Sequence, residues 1–143
     1  MKIWLKRFEK FSQLHWLQKI IYLKVFLVIL IIKISLGILS FPNFKKLYSL
    51  LSKTYKQKTY HPEYIQTLVL AIKACSPSLT ATCLPQALAL KFFLRKSPLY
   101  ILKIGVQKDV NNKFEAHAWI ETNGEIILGN LPDFGFMPLW DWQ

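Results

Sequence analysis

Acidic residues are scarce where this chain begins. Among the first 60 residues Glu9 is the only acid, against 12 Lys/Arg, so the whole formal charge of +11 resides there. Residues 61–143 carry 7 of each sign and are neutral. Such an excess favours an acidic peptide or an anionic lipid surface as a partner, or a solvated basic face. It would also suit nucleic acid, but the basic part has no interleaved base-stacking motif, so no nucleic-acid partner is expected. Cysteine is nearly lacking too: Cys75 and Cys83 are the only two. Two thiols without a CxxC pair exclude a disulfide framework and give no zinc or redox motif, so neither metal nor cofactor is expected. A reducing, cytoplasmic compartment suits a thiol that must stay reactive. No internal repeat is present.

Apolar residues are plentiful. They make up 52% of the 143 residues and aromatics 15%, enough to offset the ordering entropy of a folded core and to exclude disorder. The length suits one domain, or a compact core with a helical extension. The stretch 20–41 is the most apolar, with VFLVILII at 25–32, but Lys24 and Lys33 interrupt it. A central lysine costs a spanning helix about 2.5–3.5 kcal/mol. A buried helix is the expected reading, with membrane association through 20–41 as the alternative. The late apolar run, with no small-residue cleavage pattern after it, fits a signal peptide poorly.

The chain divides into a basic, apolar helical region, 1–60, and a core, 61–143. Residues 3–19 have apolar side chains at helical spacing, and 20–39 continue as a second helix after a break near Ser12 or Gln18. Pro42 disfavours helix at Phe41, so a short basic helix is expected from Phe44 to Leu51. Residues 52–61 are polar and read as a linker. Pro62 suits a helix start, with Ile65, Leu68, Val69 and Ile72 along one face up to Cys75. Ser76-Pro77-Ser78 ends it. Thr80 or Thr82 can cap the next helix, Cys83 to Arg95, which is apolar enough to be the buried central one. Strands follow at Leu99–Gln107, Phe114–Glu121 and Glu125–Leu128. Asp109–Asn112 and Asn123-Gly124 make the two turns. Helices first and antiparallel strands after them argue an α+β fold.

Cys83 opens a helix. The partial positive charge of a helix N-terminus favours thiolate, the nucleophilic form, and the unpaired N–H groups there can hold an oxyanion. Pro85 falls in the first turn, where its missing N–H does no harm. A small buried hydrophobe is the bland alternative for a free cysteine. His117 lies mid-strand in AHAW, sharing a strand face with Trp119 and Glu121 while Ala116, Ala118 and Ile120 face the other way. Imidazole is suited to deprotonate a thiol and later protonate a leaving amine, although a strand histidine can also be structural. His15 and His61 sit among polar or basic residues and read as surface groups. A third group should orient the imidazole. Asn130, just after Ile126-Ile127-Leu128, is well placed, and Asp133 is the near alternative.

CLPQALAL at 83–90, IGV at 104–106, FEAHAWIE at 114–121 and NGEIILGN at 123–130 together resemble the transglutaminase-like core of lasso-peptide leader peptidases, the stand-alone B-type maturation proteases. FPNFKKL at 41–47 and the Lys-rich helical start resemble the same family. The resemblance implies a papain-like core, a central helix packed on an antiparallel sheet, and a cysteine peptidase with Cys83 as nucleophile and His117 as base. The family's third member is usually Asp, at about the place of Asn130 here. The implied activity is removal of the leader from a lasso precursor peptide, an antibiotic-type ribosomal product. The implied partners are a small leader-recognition protein and an ATP-dependent lasso cyclase (a macrolactam synthetase). The rival is a non-catalytic module of the same fold that docks an acidic peptide or a membrane surface.

Overall fold

The computed structural model describes residues 15–54, 56–108, 113–132 and 135–142. Four helices precede four strands: α1 (Trp16–Ile38), α2 (Phe41–Ser52), α3 (Pro62–Cys75), α4 (Cys83–Phe93), β1 (Ile101–Lys108), β2 (Phe114–Thr122), β3 (Glu125–Leu128) and β4 (Met137–Trp142). A short 3-10 turn, Ser76–Leu79, links α3 to the loop before α4. The class is α+β, as expected.

Several boundaries differ from the sequence reading. Residues 3–14 of the expected first helix lie outside the described residues. Gln18 is no break, because α1 runs through it without interruption. The second helix starts at Phe41 rather than Phe44: Pro42 occupies the first turn, where the ring costs no hydrogen bond, and Ser40 is the N-cap. Thr82, not Thr80, is the N-cap of α4, and its side chain makes no capping bond. Thr80 instead adopts the left-handed conformation, φ 47°, at the end of the 3-10 turn.

The sheet order is β3-β2-β1-β4, with all three pairings antiparallel. β1, β2 and β3 form the expected meander, with Asn123 and Gly124 at positive φ of 50° and 82° closing the tight turn. β4 was not foreseen. It returns to the far side of β1, through a bulge between Ile104 and Gly105. Pro138 within MPLWDW argues against a central strand, but an edge strand tolerates it.

The core is built around α4. Leu88, Leu90 and Leu94 are fully buried, and α4 packs on β2 while also touching α1 and α3. Ala118, Ile120 and Leu102 meet it from the sheet, and Leu68, Ala71 and Ile72 from α3. α1 contributes Val25, Ile29 and Ile32 from one face. Three polar groups are absorbed within this core. The Tyr48 hydroxyl donates to the Leu88 carbonyl at 2.7 Å, and Ser76 Oγ to the Ile72 carbonyl at 2.6 Å. Lys91 Nζ donates to the Tyr100 carbonyl at 2.7 Å. Burial pushes the Lys91 ammonium below the usual lysine range and the Tyr48 phenol above the usual tyrosine range.

α1 is long and apolar enough to cross a membrane by length and composition. The two lysines that interrupt it have different fates. Lys24 is exposed. Lys33 reaches across to the Leu79 carbonyl and to the Thr80 carbonyl and hydroxyl, tying α1 to the loop that leads into Cys83.

Gly105 is the tightest point of the sheet. A Cβ there would lie 2.5 Å from the Met137 carbonyl oxygen and 2.8 Å from the Trp119 ring. Gly105→Ala is expected to cost about 1–3 kcal/mol through forced shifts, read as a lower midpoint in urea denaturation. An unchanged midpoint would show that β4 and Trp119 yield without strain.

Candidate active site

The cleft forms where the edge strand stops. Among the described residues β3 pairs with β2 at Ile120–Thr122, so the β2–β3 ladder stops short of His117. The chain leaving β3 passes close to His117 at Gly129. The N-terminus of α4 faces the same opening. The resulting cleft has a volume of about 480 Å³ and is lined by Cys83 and Gln86 of α4, His117 of β2, Lys73 of α3, and the segment Ile126–Leu131. Two residues 34 positions apart in the chain, Cys83 and His117, therefore share one cavity. Asn130, the expected third member, lines it too and is exposed. Asp133, its alternative, lies outside the described residues.

Cys83 is a free thiol, half-buried, and the first residue of α4. The N–H groups of the first turn have no acceptor within the helix, and Thr82 supplies no side-chain cap. With proline third in the helix, the backbone donors at its start are those of Cys83 and Leu84. Gln86 holds the turn in place, since its Nε2 donates to the Ala81 carbonyl at 2.8 Å. Cys75 is placed differently. It ends α3, packs against the core, and its Sγ contacts the Tyr22 carbonyl at 3.8 Å. Burial pushes its thiol above the usual cysteine range.

His117 is held from three directions. Its Nε2 is 2.6 Å from the Gly129 carbonyl oxygen. A carbonyl only accepts, so this contact fixes the tautomer with hydrogen on Nε2. The ring also stacks at 15° on Trp119, with centroids 6.3 Å apart, and lies 5.0 Å from Phe136. Trp119 and Phe136 are both buried and so form a rigid wall. Gly129 can approach this closely because it lacks a side chain. At its φ of +91° an added Cβ would sit 2.9 Å from both the Ala118 carbonyl oxygen and Trp119 Cβ. His15 and His61 are exposed, as expected.

Sequence reasoning placed the pair and the neighbouring asparagine in the cleft. It did not find the Gly129 carbonyl as acceptor, or Phe136, Gln86 and Lys73 at the site. A glycine directly after a strand was the one available sign of a close backbone approach.

Alkylation should separate the two thiols. Iodoacetamide near neutral pH is expected to modify Cys83 in the cleft well before Cys75, whose burial disfavours its thiolate. Peptide mapping of a time course reads the order. Faster labelling of Cys75 would show that the cleft does not expose a usable sulfur.

Comparison with known proteins agrees with this architecture. A family profile described as the transglutaminase-like superfamily matches residues 28–141, from α1 to near the end of β4. No curated protein and no solved structure matches the chain. The profile spans Cys83, His117 and the C-terminal part of α1, and on that breadth the chain belongs to the transglutaminase-like superfamily.

Proposed function

We propose that this protein is a cysteine peptidase that removes the leader from a lasso-type precursor peptide. The observation that carries the reading is the meeting of Cys83 and His117 in one cleft of a transglutaminase-like chain. Membership alone leaves open whether such a site hydrolyses a bond or transfers an acyl group to an amine. The narrower assignment rests on the resemblance of CLPQALAL, FEAHAWIE and NGEIILGN to leader peptidases.

The chemistry follows from the placement of groups. Cys83 sulfur, as thiolate, attacks the carbonyl carbon of the bond joining leader to core. The oxyanion is held by the N–H groups of Cys83 and Leu84 at the start of α4. With Nε2–H engaged by the Gly129 carbonyl, Nδ1 of His117 is the nitrogen that exchanges protons. It gives a proton to the departing core amine, which becomes the new N-terminus, and leaves the leader as a thioester on Cys83. His117 then takes a proton from water, the hydroxide attacks the thioester, and the leader departs as a carboxylate with the thiol restored. Asn130 or Asp133 assists in orienting the ring by sharing the Nε2–H with the Gly129 carbonyl. The reaction takes place in a reducing cytoplasm, with a separate leader-recognition protein delivering the precursor and an ATP-dependent cyclase consuming the freed core.

Incubation of the full chain with a candidate precursor and its recognition protein, followed by mass spectrometry, tests the reading. Cys83→Ala is expected to abolish cleavage with precursor binding retained, and His117→Gln to lower the rate by a factor of about 100 or more. If Cys83→Ala still cuts, the nucleophile is elsewhere. If the wild-type chain binds but never cuts, the fold serves as a docking module.

A further inference from the structure

α1 is apolar on two opposite faces, and only one is covered. The covered face carries Val25, Ile29 and Ile32, packed against α3 and α4. On the other face Leu23, Leu27, Ile31, Ile34 and Ile38 follow one another at spacings of three and four, a single stripe on a 3.6-residue helix, and each is 46% or more exposed. The stripe is continuous with α2. Ile31 and the exposed Leu47 and Leu51 line one shallow apolar depression of about 150 Å³ between the two helices. The same two helices and the residue after them carry exposed lysines: Lys24 on α1, Lys46 on α2 and Lys53 just after α2.

The charge decides what covers this surface. The basic excess of the chain lies within residues 1–60, the region that carries the patch. A second copy would bring like charge against like and be repelled. An anionic surface would be attracted to the lysines while its acyl region received the leucines and isoleucines. Spanning is disfavoured because it would strip Val25, Ile29 and Ile32 from the core and break the Lys33 contacts to Leu79 and Thr80. We infer that α1 and α2 dock this protein flat on an anionic lipid bilayer, with the Leu23–Ile38 stripe at the headgroup boundary and the lysines on lipid phosphates. This docking is independent of the peptidase reading.

Sedimentation of the full-length chain with phosphatidylcholine vesicles, with and without phosphatidylglycerol, tests it. Binding is expected with the anionic vesicles, weakening as salt rises. The triple variant Leu27→Ser, Ile31→Ser, Ile34→Ser alters exposed positions only, so it should keep the wild-type circular dichroism spectrum while binding falls by about tenfold or more. Lys24→Glu with Lys46→Glu should give a comparable loss at low salt. Three results would each overturn the inference: no binding to anionic vesicles, binding unchanged in both variants, or a wild-type dimer in solution that the serine variant dissociates. Bound protein that resists alkaline extraction would likewise overturn it, since that result means the helix crosses the bilayer.

Discussion

α4 has almost no polar face. A helix apolar on nearly every side must be enclosed, and α1, α3 and the sheet do this around Leu88, Leu90 and Leu94. Both ends of the helix are only half-buried, and one of them bears Cys83. The burial that stabilises the fold thus also sets the sulfur at the mouth of a cleft. Losing one of these leucines to alanine would cost about 2–5 kcal/mol, a large share of a typical domain's stability of roughly 5–15 kcal/mol. The site therefore rests on the part of the structure least able to relax.

The second determinant is a termination. β3 has four residues and pairs with only three of β2. Had it continued, the β2 edge beside His117 would have been closed by ladder hydrogen bonds. Because it stops at Leu128, the Gly129 carbonyl is freed from the ladder and accepts from the imidazole. A backbone carbonyl held at the end of a strand is a stiff orienting group, and it carries no formal charge. Trp119 and Phe136 add stiffness from the other side. Gly105 lets this aromatic packing exist, since any larger residue would meet the Trp119 ring.

What the sequence revealed and what it hid follow from the kind of signal each feature leaves. α3 and β3 were legible to the residue, because Pro62, the Ile65–Ile72 face and the Asn123-Gly124 turn are side-chain signals tied to local geometry. Cys83 and His117 could be picked out as candidates for the same reason, since the chemistry read from them belongs to their side chains, and the structure sets both on one cleft. The Gly129 acceptor was not, because every residue has a carbonyl and only the termination of β3 selects this one. β4 was hidden by Pro138, which reads as a strand breaker unless the strand is known to lie at an edge. The early start of α2 was hidden by Pro42, whose restriction on Phe41 yields when that residue is itself in the first turn. The meaning of Lys33 was half visible. Its cost inside an apolar run could be estimated, but not that its ammonium would find the Leu79 carbonyl and Thr80.

The charge of the chain bears on encounter more than on chemistry. At physiological ionic strength exposed charges are screened over about 8 Å. Among the described residues that line the cleft, Lys73 is the one lysine or arginine. Any reactivity proposed for Cys83 must come from what shares its cleft: the start of α4 to which it belongs and the His117 ring that lines the same cavity. The helical excess can instead concentrate a polyanionic surface or an acidic peptide near the protein. The family profile covers residues 28–141, the core together with part of the helical region, and Lys33 joins the two physically by bonding to the loop ahead of Cys83. The helix proposed to lie on a lipid surface is therefore tied, through Lys33, to the loop that leads into Cys83, so the two proposals, though independent, meet at one hydrogen-bonded side chain.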